Sequence, residues 1–309
     1  MSVPSCVLGP ARLAALLLVL VPVLAGCASA PPATGGGARP LGTLLIVGGG
    51  PIPDGIVERF VALAGGAGRA RVVIFPMASE SADAGVEMAE RCRRLGASAE
   101  RVFLTRAEAD TDAAAKRLEG VTGIWFGGGD QSRLTAALLH TPVEAAVLAR
   151  YRAGAVVGGT SAGAAVMTTP MITGDERRPG GDRPPEKDSS DAFMTVARDN
   201  IVTAEGFGLL PGAIVDQHHV RRRRNNRLLS LVLENPSLVG VGIDESTALE
   251  VGPGGVWKVL GESVAVVYDA RQATITAKGA PALGATGVRL SVLPAGATFQ
   301  PRNGLATLP

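Results

Sequence analysis

The chain has 309 residues, of which 46% are hydrophobic and only 19% charged, with 41 glycines and a formal net charge of +2. This composition excludes a disordered chain and suits a globular α/β protein with a large core and many tight turns. The charge balance gives no global basis for a polyanionic partner.

The chain opens on a secretory pattern. Arg12 precedes a continuous apolar stretch from Leu13 to Leu24, too short for a membrane-spanning helix and of the length of a signal-peptide core. It ends in Leu24-Ala25-Gly26-Cys27, which resembles a lipoprotein lipobox whose cysteine thiol accepts a diacylglycerol. The expectation is a signal peptide over 1–26 and a protein exported to the bacterial cell envelope. It would be anchored through lipidated Cys27 and touch the membrane only there. Residues 27–40, rich in Ala, Pro and Gly, read as a flexible tether. Loss of Cys6 with the signal and acylation of Cys27 leave only Cys92, which excludes a disulfide framework and a cysteine metal site.

From residue 41 to 309 the pattern is one domain. Leu44 to Val47 reads as a strand ending in Gly48-Gly49-Gly50, followed by a helix from Asp54 to Leu63. Strands at Arg71–Phe75, Arg101–Leu104 and Gly123–Phe126 alternate with helical patterns at Ala82–Leu95 and Glu108–Leu118. Helices over Gln131–Leu139 and Val143–Tyr151 lead into the strand Ala155–Gly158. Short Val- and Ile-rich runs separated by helices predict a doubly wound, mostly parallel sheet with its ligand site at the carboxyl ends of the strands. After Gly240 the pattern turns to hairpin strands, a β-rich C-terminal part with runs over Val241–Val251, Val256–Leu260, Val264–Tyr268 and Val288–Leu293.

The chemistry concentrates at those carboxyl ends. Gly159-Thr160-Ser161-Ala162-Gly163 joins a strand to an apolar helix start, the context of a nucleophile elbow. Ser161 would project from the turn, with the amide of Ala162 facing the position of an oxyanion. A serine needs a base, and the chain holds three histidines. His140 precedes Thr141-Pro142 and reads as a surface residue, leaving adjacent His218 and His219 as candidate partners. The run Val220-Arg221-Arg222-Arg223-Arg224 reads as the opening of a helix that ends near Glu234. Basic residues at a helix start oppose its dipole, so they are better explained as a carboxylate site than as helix stabilisers. With no aromatic platforms beside them, nucleic acid is not the expected ligand.

The blocks Gly127-Gly128-Gly129-Asp130-Gln131, Gly159 to Gly163, Asp216-Gln217-His218 with Arg222, Arg224 and Arg227, and Gly242-Ile243-Asp244-Glu245 resemble the cyanophycinases of serine peptidase group S51. The resemblance runs from about Thr43 to Tyr268 with every block in order. It implies the fold of the class I glutamine amidotransferases and dipeptidase E, and a homodimer. It implies an exopeptidase that releases β-Asp-Arg dipeptides from cyanophycin, a poly-aspartate carrying arginine on each side chain. Carried over by position, Ser161 is the nucleophile, His218 its base, and Glu176 the acid in preference to Asp175. Ala162 and Gly128 would supply the oxyanion amides, and Gln131, Asp216, Gln217, Arg222, Arg224 and Arg227 the substrate pocket. No metal and no organic cofactor is expected. The chain departs from the group at His219, where an aromatic residue is usual, and at Ser246, where Asn or Asp is usual. The polar segment 177–191 reads as a solvated loop near the site. Two other functions fit the same residues: an S51 peptidase acting on other aspartyl or isoaspartyl peptides, and a non-catalytic surface protein binding acidic polymer.

Overall fold

The computed structural model describes residues 40–177, 195–280 and 282–309. The signal peptide, Cys27, nearly all of the tether and the segment 178–191 lie outside the described residues.

The first half is built from β1 (Leu44–Val47), α1 (Asp54–Leu63), β2 (Arg71–Phe75), α2 (Val86–Arg94), β3 (Ser98–Arg101), α3 (Arg106–Ala109), α4 (Asp112–Lys116), β4 (Gly123–Phe126), α5 (Gln131–Leu138), α6 (Pro142–Arg152), β5 (Val156–Thr160) and α7 (Ala162–Ala165). A two-stranded ribbon follows, β6 (Met171–Glu176) with β7 (Ile201–Ala204). The second half comprises β8 (Ala213–Gln217), α8 (Asn225–Glu234), β9 (Val239–Ile243), β10 (Thr247–Val251), β11 (Trp257–Gly261), β12 (Val264–Asp269), β13 (Thr274–Ile275), β14 (Ala285–Thr286), β15 (Arg289–Pro294), β16 (Thr298–Gln300) and β17 (Leu305–Thr307).

Among the described residues, nine strands form one sheet in the order β17-β16-β11-β10-β1-β5-β4-β2-β3. Its β3-β2-β4-β5-β1 half is parallel and its β10-β11-β16-β17 half antiparallel. The alternation of side chains separates two apolar layers. Ile46, Val73 and Phe126 join Leu134 of α5 and Val147 of α6 on one face, while Val47, Ile74 and Trp125 join Phe60 of α1 and Cys92 of α2 on the other. This is the doubly wound arrangement expected from the sequence, and its centre is dry because β1, β2 and β4 present buried apolar residues both ways. A second sheet, β15-β12-β9-β8, is antiparallel except for the parallel pair β8–β9.

Glycines thin the centre of the large sheet where other groups must approach. A Cβ on Gly158 would lie 2.6 Å from the Trp125 ring, and one on Gly159 would lie 2.4 Å from the Gly163 carbonyl oxygen. Trp125 thereby packs edge-on to Phe60, with ring centroids 5.1 Å apart. Such aromatic pairs contribute roughly 0.5–1.5 kcal/mol beyond their buried area.

Five elements differ from the sequence reading; the helix expected from Ala82 begins only at Val86, after Gly85 at φ 77°. The third strand begins at Ser98, three residues early, because parallel register with β2 sets Ser98 against Arg71. Val102 and Leu104 are still buried, but Phe103 between them is 48% exposed. The helix read over 108–118 is two short helices, because the Thr111 side chain accepts from the Ala114 amide and caps a new start. The helix α8 begins only at Asn225; Arg221 to Arg224 form the turn before it, with the Arg222 and Arg224 amides donating to the carbonyls of His218 and His219. The run read over 241–251 is two strands in different sheets, β9 in the small one and β10 in the large one.

Candidate active site

The carboxyl ends of β1, β5 and β4 are level, because Val47 pairs with Thr160 and Gly159 with Phe126. Three turns therefore sit side by side: Gly48 to Gly50, the serine elbow, and Gly127 to Asp130. Ser161 adopts φ 53° and ψ −110°, a conformation that side-chain-bearing residues rarely take. It is held there because its amide donates to the Val47 carbonyl, and its own carbonyl accepts from Ala164 and Ala165. Gly163 is required beside it, since a Cβ there would lie 2.2 Å from the Phe126 carbonyl oxygen.

The base arrives from the small sheet. Beyond β8, His218 turns at φ 49° and donates its backbone amide to the Gly48 carbonyl at 2.7 Å. Its Nε2 lies 2.8 Å from Ser161 Oγ, and its Nδ1 lies 2.6 Å from Glu245 Oε1. The geometry thus selects His218 over His219 as the partner of Ser161. It also supplies a different acid from the one expected. Glu176, on β6, accepts from the Asn200 amide at 2.8 Å, whereas the carboxylate on His218 belongs to Glu245. The reason lies in the register: Gln217 of β8 pairs with Ile243 of β9, so the residues just beyond both strands meet. Glu245 occupies the short crossing between β9 and β10.

The Gly48-Gly49-Gly50 turn accommodates both partners. A Cβ on Gly49 would lie 2.3 Å from His218 Cε1, and one on Gly50 would lie 2.8 Å from Glu245 Cβ. Both glycines have positive φ, 111° and 67°. The same turn fixes the acid's flanks, because Ser246 donates its amide to the Gly49 carbonyl and its hydroxyl to that of Pro51. Sequence reading marked these glycines only as a strand-end motif; three consecutive glycines at a carboxyl end were the available signal.

Electrostatics favour a base. Burial pushes the His218 imidazole below its ordinary value, Glu245 opposes that shift, and the charges of Arg222 and Arg224 reinforce it. A neutral His218 can accept the Ser161 proton while its Nδ1–H donates to Glu245.

Ser161 opens onto a cleft of about 240 Å3 that Gln131, Gln217, Arg222, Arg224 and Arg227 also line. Gln131 donates its amide to the carbonyls of Ile172 at 2.8 Å and Thr173 at 2.5 Å, tying the start of α5 to the β6–β7 ribbon. Arg224 donates to both the backbone and side-chain oxygens of Gln217. Arg222 Nε stands 3.9 Å from Glu245 Oε1, between cleft and acid. Gly128 borders the nucleophile, since a Cβ on it would lie 3.4 Å from Ser161 Cβ, and Ala162 follows directly at the start of α7. One expected pocket residue is elsewhere: Asp216 is 1% exposed and sits behind the cleft, because its carboxylate is enclosed by Arg227 and His219. His140 is exposed and pairs with Glu205. A larger concavity of about 590 Å3, lined by Met77, Phe103 and Arg133 among others, contains none of the serine, histidine or acid side chains described above.

Comparison with known proteins places this arrangement. The profile of Peptidase family S51 matches residues 44–258. A cyanophycinase of Trichormus variabilis is 35% identical over 215 residues, covering 68% of this chain and 67% of its own. One from Synechococcus elongatus is 34% identical over 225 residues, covering 72% of this chain and 65% of its own. The chain thus spans about two thirds of the length of these relatives. The crystal structure of a peptidase from an acI-B1 Actinobacterium shares the fold, with a TM-score of 0.59 and 23% identity over 85% of this chain and 98% of that one. The chain belongs to peptidase family S51 and is a serine-type peptidase.

Proposed function

We propose that the enzyme hydrolyses cyanophycin to β-Asp-Arg dipeptides through an acyl-enzyme on Ser161. The observation that carries this is the Ser161–His218–Glu245 array opening onto a cleft walled by three arginines. Each repeat of that polymer bears a free carboxylate and a guanidinium. Arginines suit the first through paired hydrogen bonds, and the amide oxygens of Gln131 and Gln217 suit the second.

In the reaction, Ser161 Oγ attacks a backbone carbonyl while His218 Nε2 takes its proton and passes it to the departing amine. The isopeptide bond to arginine is not the one cut, because it survives in the product. The amides of Ala162 and Gly128 receive the oxyanion. Water, deprotonated by His218, then hydrolyses the ester and restores Ser161. Glu245 keeps the imidazole in the required tautomer.

The test uses soluble protein beginning after Cys27. It should release β-Asp-Arg from cyanophycin, and Ser161→Ala should release none; near-normal release by that variant overturns the mechanism. Hydrolysis of isoaspartyl peptides with the polymer left intact would move the substrate to that class. Export and anchoring belong to the same proposal: the full chain should partition with membranes and Cys27→Ala should not.

A further inference from the structure

A second polar chain lies behind the cleft, and the reacting atoms do not touch it. Asp216 and Arg227 are each 1% exposed, His219 is 0% and Tyr268 is 7%. Arg227 grips the Asp216 carboxylate with Nε and Nη2, the Nε–Oδ2 distance being 2.9 Å. His219 Nδ1 stands 3.3 Å from Asp216 Oδ2, and its Nε2 stands 3.1 Å from the Tyr268 hydroxyl.

Elementary hydrogen-bond chemistry places the protons. An ionised carboxylate only accepts, so His219 Nδ1 carries a hydrogen, and in the neutral ring Nε2 accepts from the Tyr268 O–H. Burial, aided by the charge of Asp216, pushes the phenol up to about 12, so that O–H is retained. Burial by itself would raise the Asp216 carboxyl, but the charge of Arg227 and the hydrogen bonds from His219 and Arg227 outweigh it and hold the group ionised. The ring of His219 has a built berth: a Cβ on Gly242 would lie 2.1 Å from its Cγ. Arg227 also lines the cleft, so the orientation of the Asp216 carboxylate sets what the cleft presents.

We propose that His219 and Tyr268 are positioning residues for substrate recognition, aligning Asp216 so that Arg227 is aimed at a carboxylate of the bound substrate. Tyr268 comes from β12, beyond the residues 44–258 that the family profile matches. The C-terminal part therefore takes part in specificity through a residue that never meets the substrate. The inference rests on the peptidase reading given above for its substrate class.

The decisive variant is Tyr268→Phe, which keeps the ring and its edge-on packing at 5.7 Å from His219 but removes the hydroxyl. Kinetics are compared on a β-Asp-Arg oligomer and on the same oligomer with its arginine carboxyls amidated. On the free-carboxylate oligomer KM should rise roughly threefold to tenfold with kcat within about twofold, the size of one buried hydrogen bond. The amidated oligomer should show far less change. His219→Phe should exceed this effect, and His219→Asn, which places an amide N–H near the position of Nδ1, should recover part of it. Equal changes on both oligomers, or a fall in kcat at constant KM, overturn the assignment. If the wild type hydrolyses neither oligomer, the proposed function fails. The inference is then decided by calorimetric binding of the free-carboxylate oligomer to Ser161→Ala, with and without Tyr268→Phe. Weaker binding with the second change supports it; equal binding or none overturns it.

Discussion

His218 and His219 are neighbours in the chain, and each sits between a hydroxyl and a carboxylate. His218 joins Ser161 to Glu245, and His219 joins Tyr268 to Asp216. The first array opens onto the cleft, and its acid is 25% exposed in the side chain. The second is sealed, and its carboxylate is already paired with Arg227. Hydroxyl, imidazole and carboxylate in line therefore do not make a nucleophile. Access and a strained backbone that projects the oxygen separate the two.

The comparison can be broken most sharply at the hydroxyls. Ser161→Ala should lower kcat/KM on the polymer by about 10⁴-fold or more, far beyond the effect of Tyr268→Phe; comparable losses would mean the two arrays are not distinct. At the acids, Glu245→Gln should cost roughly 10²- to 10⁴-fold in kcat. Steady-state kinetics of Glu176→Gln should stay within a few-fold of wild type, and the reverse ranking would return the acid to β6.

Gly49→Ala sharpens the point by leaving every polar group in place. The added Cβ meets the His218 ring, and a displacement on the order of 1 Å can cost about 10²-fold in rate. Stopped-flow labelling of Ser161 by a fluorophosphonate should slow in parallel. The mildest test is titration. Because His218 is held below its ordinary value of 6.5, kcat/KM should fall in acid with a midpoint below pH 6.5, as the imidazole is protonated. A midpoint above 6.5 would show that Glu245 outweighs burial and the arginines.

The parallel half of the fold was legible because its signals are local: apolar runs and glycine turns. The serine and its candidate bases were legible for a similar reason, an elbow motif and a scarcity of histidines. The acid was not. Glu245 lies 27 positions from His218, in a crossing between sheets that the apolar pattern of 241–251 disguises as one strand. The family resemblance puts Asp216 in the pocket, yet alternation along β8 turns it inward while Gln217 faces the cleft. The arginine run reads as the opening of α8 although its charge opposes a helix start, and positive φ at His218 and Arg223 instead sets it as a turn.

The step from β9 to β10 has a consequence for the life history of the enzyme. Ser161 hangs from the large sheet, His218 from the end of the small one, and Glu245 from the few residues that pass between them. No fragment carrying either sheet alone can assemble the triad. A chain still being synthesised is consequently inert toward the peptides around it. Hydrolytic power appears only when the last-made half has docked on the first, so activity doubles as a report that folding is complete.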